Sequence, residues 1–170
     1  MHAVPASRRS STATSPSPRC STALLPGVDY AVFSSAGLAH CVGQAQPALD
    51  VEKALRAAYA KGCRVAAVTL GNRGVAWLDG MSLQHLPAFA VDAVDTNGAG
   101  DVFHGALAFA LGAHWQLGNA LRFASAVAAL KCRYAGARAG VPDFAGAMAF
   151  LEASDAARGG NRNPTGTTLR

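Results

Sequence analysis

Charge is scarce in this 170-residue chain: 15% of residues are charged and 51% are apolar, which excludes a solvated, self-repelling polymer. Aromatics are scarce as well, at 7%, so any core must be closed by small side chains and close helix approach. No apolar run reaches the ~18 residues needed to cross a bilayer, so no membrane contact is expected. The four cysteines, Cys20, Cys41, Cys63 and Cys132, form no C-x-x-C pair. That spacing argues against a zinc site or a disulfide framework and for small buried hydrophobes in a reducing, cytoplasmic compartment. Acid is missing from residues 1–26, which hold Arg8, Arg9 and Arg19, and the far end carries Arg158, Arg162 and Arg170 against Asp155. Between the two ends acids and bases balance. Basic ends on a neutral domain are not the clustered stripe of a phosphate-backbone footprint, so no nucleic-acid partner is expected. The Ser-rich start also lacks the apolar region of a secretion signal.

What is present reads as one domain between two tails. Residues 1–26 are Ser, Thr, Pro, Ala and Arg without period, and are expected to be disordered, as are residues 154–170. Within 27–153, Tyr30 to Ser34 suits a buried strand. Asp50 then N-caps a helix whose Val51, Leu55, Ala58 and Tyr59 share one face, with Gly62 at its end. Val65 to Leu70 reads as a central strand closed by the turn Gly71-Asn72-Arg73-Gly74. Val75 to Leu78 and Ser82 to Leu86 form a hairpin about Asp79-Gly80. Helices are expected from about Gly100 to Leu111, from about Asn119 to Tyr134, and after Pro142-Asp143. This order predicts an α/β layered sheet with flanking helices.

The chemistry gathers in Asp95-Thr96-Asn97-Gly98-Ala99-Gly100-Asp101-Val102-Phe103-His104-Gly105. Gly98, Ala99 and Gly100 lie where a helix begins, and there the first N–H groups lack intrahelical partners. With the helix dipole these form an anion site that small residues leave open to phosphate. Asp101 follows at once. Locally it reads equally as an ordinary first-turn acid or as a general base beside a phosphate cradle. Asp95 reads as a turn residue that caps the backbone of Asn97. His104 should point away from Asp101 and be structural. Lys131, in an otherwise apolar helix, should snorkel to the surface. Ser125 alone could simply bond back to its own helix.

The string Asp95 to Phe103 resembles the second signature of the ribokinase/PfkB carbohydrate kinases. Val68-Thr69-Leu70-Gly71-Asn72-Arg73-Gly74-Val75 resembles that family's nucleotide-binding strand and turn, and Leu121 to Ala126 resembles the helix bordering its adenine pocket. The resemblance runs from about Val28 to Leu151. It implies ATP-dependent phosphorylation of a sugar hydroxyl, with Mg2+ accompanying ATP. It implies Asp101 as catalytic base and Gly98, Ala99 and Gly100 as the anion hole. Nucleotide contacts would come from Thr69, Gly71, Asn72, Arg73 and Gly74, with Ser125, where many members have Asn, near the adenosine. Members often bind K+ beside the anion hole. The matching positions are Asp95 and Asn97, with the backbone of Lys131, Tyr134 and Gly136, while Gly140 stands where some members offer a hydroxyl. The Ala-Leu-Arg-Phe-Ala-Ser and Val-Phe-His-Gly runs look closer to ketohexokinase- and sulfofructose-kinase-like members.

The family's first signature, its lid and most sugar contacts have no match here. The fold implied is therefore a partial ribokinase-like sheet with the N-terminal half and lid missing. Such a chain would be a truncated or mis-started product, or would need an oligomer or a partner carrying the missing part. Two functions follow: a sugar kinase of impaired activity on its own, or a non-catalytic nucleotide-binding or interaction fragment.

Overall fold

The computed structural model describes residues 10–13, 22–44 and 49–159. Five strands form one sheet in the order β1-β2-β3-β4-β5: β1 (Ser10–Ala13), β2 (Tyr30–Ser34), β3 (Val65–Thr69), β4 (Val75–Asp79) and β5 (Ser82–Leu86). The first three run parallel, with Tyr30 opposite Val65 and Ser34 opposite Thr69. β4 returns antiparallel beside β3, Val75 facing Thr69, and β5 pairs with it as a hairpin. The centres of β2 and β3 are buried on both faces, which is why they read as continuous apolar runs rather than alternating ones.

Helices cover each face. α1 (Ser35–Val42) and α2 (Val51–Tyr59) pack Leu38, Ala54, Leu55 and Ala58 against Ala31, Phe33, Ala66 and Val68. On the other face Val32, Ala67 and Val75 meet α3 (Ala99–Gly112) and α4 (Leu117–Cys132), with α5 (Phe144–Gly159) adding Ala147 and Leu151. Fully buried Ala110, Ala120, Ala124 and Ala126 let α3 and α4 approach closely, as the poverty in aromatics required. Asp50 caps α2 as expected, its Oδ1 accepting from the Lys53 N–H at 3.0 Å.

Four features depart from the sequence reading. The segment taken as tail supplies β1, whose residues pair in parallel with β2; that strand would otherwise end the sheet with a bare row of N–H and C=O groups. It also supplies a 3-10 turn, Thr22–Gly27, whose Leu25 enters the α1/α2 core, so ordered structure begins before residue 27. At the other end α5 continues past residue 154 to Gly159, with the Ser154 hydroxyl donating to the Phe150 carbonyl. The remainder of both tails, with Cys20, lies outside the described residues. α1 was not anticipated: the Ser34 hydroxyl accepts from the Gly37 N–H at 3.0 Å, and Gly43 ends the helix with φ 69°. Among the described residues no helix is long and apolar enough to cross a membrane.

Candidate active site

The C-terminal ends of β2 and β3 are tied together. Thr69 donates its hydroxyl to the Phe33 carbonyl at 3.3 Å, and Ser35 donates to the Thr69 carbonyl at 3.1 Å. From that edge the chain makes the turn Gly71–Arg73, closed by Leu70 N–H to Gly74 O at 2.7 Å and Gly74 N–H to Gly71 O at 3.0 Å. Gly71, Asn72 and Arg73 are exposed. The carboxyl ends of parallel strands are where open α/β sheets bind ligands, and this turn stands there. Gly74 has no freedom to be anything else: φ is 95°, and a Cβ would lie 2.0 Å from the Leu86 carbonyl oxygen. The register puts Leu86 opposite Val75, so β5 ends at this same edge before the chain runs on toward α3.

α3 begins at Gly98, which has φ 74° and offers no side-chain cap. A Cβ on Gly98 would lie 2.9 Å from the Ala137 carbonyl oxygen, so loop 133–140 presses directly on the helix start. At Gly100 a Cβ would meet nothing, and Gly100 and Asp101 are exposed. Of the three anion-hole candidates, Ala99 has its N–H committed, donating to the Thr96 carbonyl at 3.1 Å. The positive end of the helix dipole thus lies beside the exposed Gly100 and the Asp101 carboxylate.

Asp95 holds this corner. One carboxylate oxygen accepts from the Asn97 N–H at 2.8 Å and the other from the Gly136 N–H at 2.8 Å. These two bonds, Asn97 first, hold the Asp95 carboxyl below its ordinary value, partial burial opposing and the charge of Lys131 assisting. The Cys132 carbonyl accepts from Val94 N–H at 2.7 Å and Asp95 N–H at 3.1 Å, fixing the approach to the loop. Lys131 does not snorkel. It is wholly buried, and its Nζ donates to the Asp95 carbonyl at 2.9 Å. Its own carbonyl accepts from the Tyr134 N–H at 3.1 Å. The five candidate cation positions thus meet at one loop crossing, with a lysine side chain among them.

Two side chains bond back to carbonyls of their own helices. The Ser125 hydroxyl donates to the Leu121 carbonyl at 2.8 Å, within α4. His104 donates from Nδ1 to the Gly100 carbonyl at 2.7 Å, and its buried Nε2 has no partner. Sequence reasoning missed Ser35, whose hydroxyl locks the end of β3, and the adjacent Ser34-Ser35 pair at a strand end was its signal. Among the described residues no cluster of His, Cys, Asp and Glu is arranged to hold a metal.

A layered α/β sheet of this kind is the architecture of ribokinase-fold kinases. Ribokinase from Thermotoga maritima superposes with a TM-score of 0.73 at 31% identity, over 81% of this chain and 46% of that one. A double mutant of fructokinase from Vibrio cholerae O395, solved in fructose, ADP and potassium ion bound form, gives 0.67 at 29% identity, over 76% and 42%. The ribokinase of Lactococcus lactis subsp. lactis is 40% identical over 85 residues, 50% of this chain and 28% of that protein. The profile of the pfkB family carbohydrate kinases matches residues 6–143, and the chain belongs to that family. It spans less than half the length of these relatives.

Proposed function

We propose that this chain carries the phosphoryl-transfer half of a sugar kinase, using ATP with Mg2+ to phosphorylate a sugar hydroxyl. The observation that carries the reading is the start of α3. An uncapped glycine in the left-handed region opens a helix whose first turn presents an exposed carboxylate. In this reading the free N–H groups at Gly98 and Gly100 hold the transferring phosphate, and Asp101 accepts the proton of the attacking hydroxyl. A hydroxyl is a poor nucleophile until that proton leaves, and phosphoryl transfer otherwise asks the protein for positioning and charge stabilisation. The turn Thr69–Gly74 would hold the nucleotide, with Gly71, Asn72 and Arg73 exposed to it and Gly74 closing the turn. Ser125 lies on α4, and its part in an adenosine contact would be made by its position rather than its committed hydroxyl.

A second reading for the chain alone is nucleotide binding without turnover, as a non-catalytic nucleotide-binding or interaction fragment. One pair of measurements separates them. Magnesium-ATP near 100 times its Kd should stabilise the fold by about 2.7 kcal/mol, read as a rise in Tm. Transfer of labelled phosphate to ribose or fructose then reports turnover. A folded chain with no Tm shift at millimolar ATP would refute both readings.

A further inference from the structure

Lys131 is the one charged side chain wholly buried among the described residues. An ammonium withdrawn from water persists only where acceptors or opposite charge receive it. Here the acceptor is the Asp95 carbonyl at 2.9 Å, and the opposite charge is the carboxylate of the same residue. That carboxylate clasps the Asn97 and Gly136 N–H groups, joining loop 95–98 to loop 133–140. Gly98, the first residue of the anion corner, backs onto that second loop at Ala137. The ammonium therefore supports the helix start from the protein side, while Gly100 and Asp101 face solvent.

Asn97, Tyr134 and Gly136 are exposed, so a monovalent cation placed among Asp95, Asn97, Lys131, Tyr134 and Gly136 would face solvent on one side and meet the like charge of the buried Lys131 side chain on the other. We propose that the Lys131 ammonium is the built-in cation of this corner, holding loop 95–98 and supplying fixed positive charge behind the phosphate site, so that nucleotide binding needs no potassium. The proposal rests on the nucleotide site described above. Lys131 acts through the Asp95 loop and touches no substrate, so it is a positioning residue.

The test compares the full chain in potassium chloride and in tetramethylammonium chloride of equal ionic strength. Magnesium-ATP affinity is read by calorimetry, and Tm is read with and without nucleotide. Wild type should give the same affinity, within about twofold, in both salts, and the same Tm. Lys131→Ala empties the ammonium's place. It should bind nucleotide about tenfold more weakly in tetramethylammonium and regain most of that loss, and of its Tm, in potassium. Lys131→Met keeps the stem without the charge and should stay weak in both salts. Saturable potassium enhancement of wild-type affinity or Tm would overturn the proposal, as would a Lys131→Ala variant indifferent to potassium. If neither variant folds, the wild-type salt comparison decides alone. If wild type binds no nucleotide in either salt, the kinase reading has failed. The Tm values of wild type and Lys131→Ala in the two salts then still decide the role of Lys131.

Discussion

Gly71 and Gly74 bracket the same three-residue turn, both at positive φ, and alanine at each should have very different consequences. At Gly71, φ is 61° and a Cβ would meet nothing within 4 Å. Gly71→Ala therefore incurs only the left-handed backbone penalty, about 1–2 kcal/mol. At Gly74, φ is 95° with ψ −139°, a region closed to ordinary side chains, where strain alone amounts to about 1–3 kcal/mol. A Cβ there would also lie 2.0 Å from the Leu86 carbonyl oxygen and 2.7 Å from the Ala88 nitrogen. Those atoms belong to the end of β5 and the segment after it, so relief requires the hairpin to shift. Gly74→Ala should lose about 3–5 kcal/mol in all, at the upper end of single substitutions. For a chain of this length 1 kcal/mol moves Tm by about 2–4 °C. Gly71→Ala should then melt about 2–8 °C below wild type and Gly74→Ala at least about 6 °C below it. Thermal unfolding followed by circular dichroism reads both. If Gly74→Ala melts no lower than Gly71→Ala, the close approach to Leu86 is not what requires glycine, and the argument fails.

Asp101→Asn, tested in a preparation that phosphorylates sugar, should lower kcat by about 10²- to 10⁴-fold while leaving ATP affinity within about twofold, since only the proton acceptor is lost. Steady-state kinetics beside calorimetry checks it, and near-normal kcat would return Asp101 to an ordinary first-turn acid. Asp95 contributes stability that is present above the ordinary carboxylate value of about 3.9 and is lost as pH falls through its depressed folded value. Asp95→Asn should flatten that acid limb of a Tm-against-pH curve, and an unchanged limb would show that the two N–H bonds do not favour the charged form.

The elements that the sequence made legible are those whose cause is local. β2 and β3 announce themselves because burial on both faces makes them continuously apolar. α2 does so because a capping aspartate precedes one apolar stripe. The hairpin is marked by Asp79-Gly80, and Gly80 does adopt φ 57°. β1 had no such mark. Ser10–Ala13 has the composition of a tail, and its pairing is dictated by the open edge of β2, a partner about twenty residues away along the chain. α1 was hidden differently: Ser34-Ser35 and Gly43 signal its two ends, but eight residues hold too few turns for a periodicity to emerge.

The candidate site divides along the same line. Gly98, Gly100 and Asp101 form one turn of chain, so a glycine-opened helix start followed by an acid could be recognised before any tertiary contact was known. The bonds that hold that turn in place are long-range. Asp95 reaches Gly136 across 41 positions and Lys131 reaches Asp95 across 36. A lysine among alanines and leucines reads as a surface residue, because isolated burial of its charge is prohibitive. The missing information was a carbonyl and a carboxylate supplied by another loop. The same consideration bears on the chemistry. A phosphate cradle made only of helix-start N–H groups would be a weak partial charge in water. Under the proposed function, bracing it with a loop crossing and a buried ammonium would fix both its geometry and its sign before any ligand arrives, so less would have to be reorganised as phosphate charge developed there.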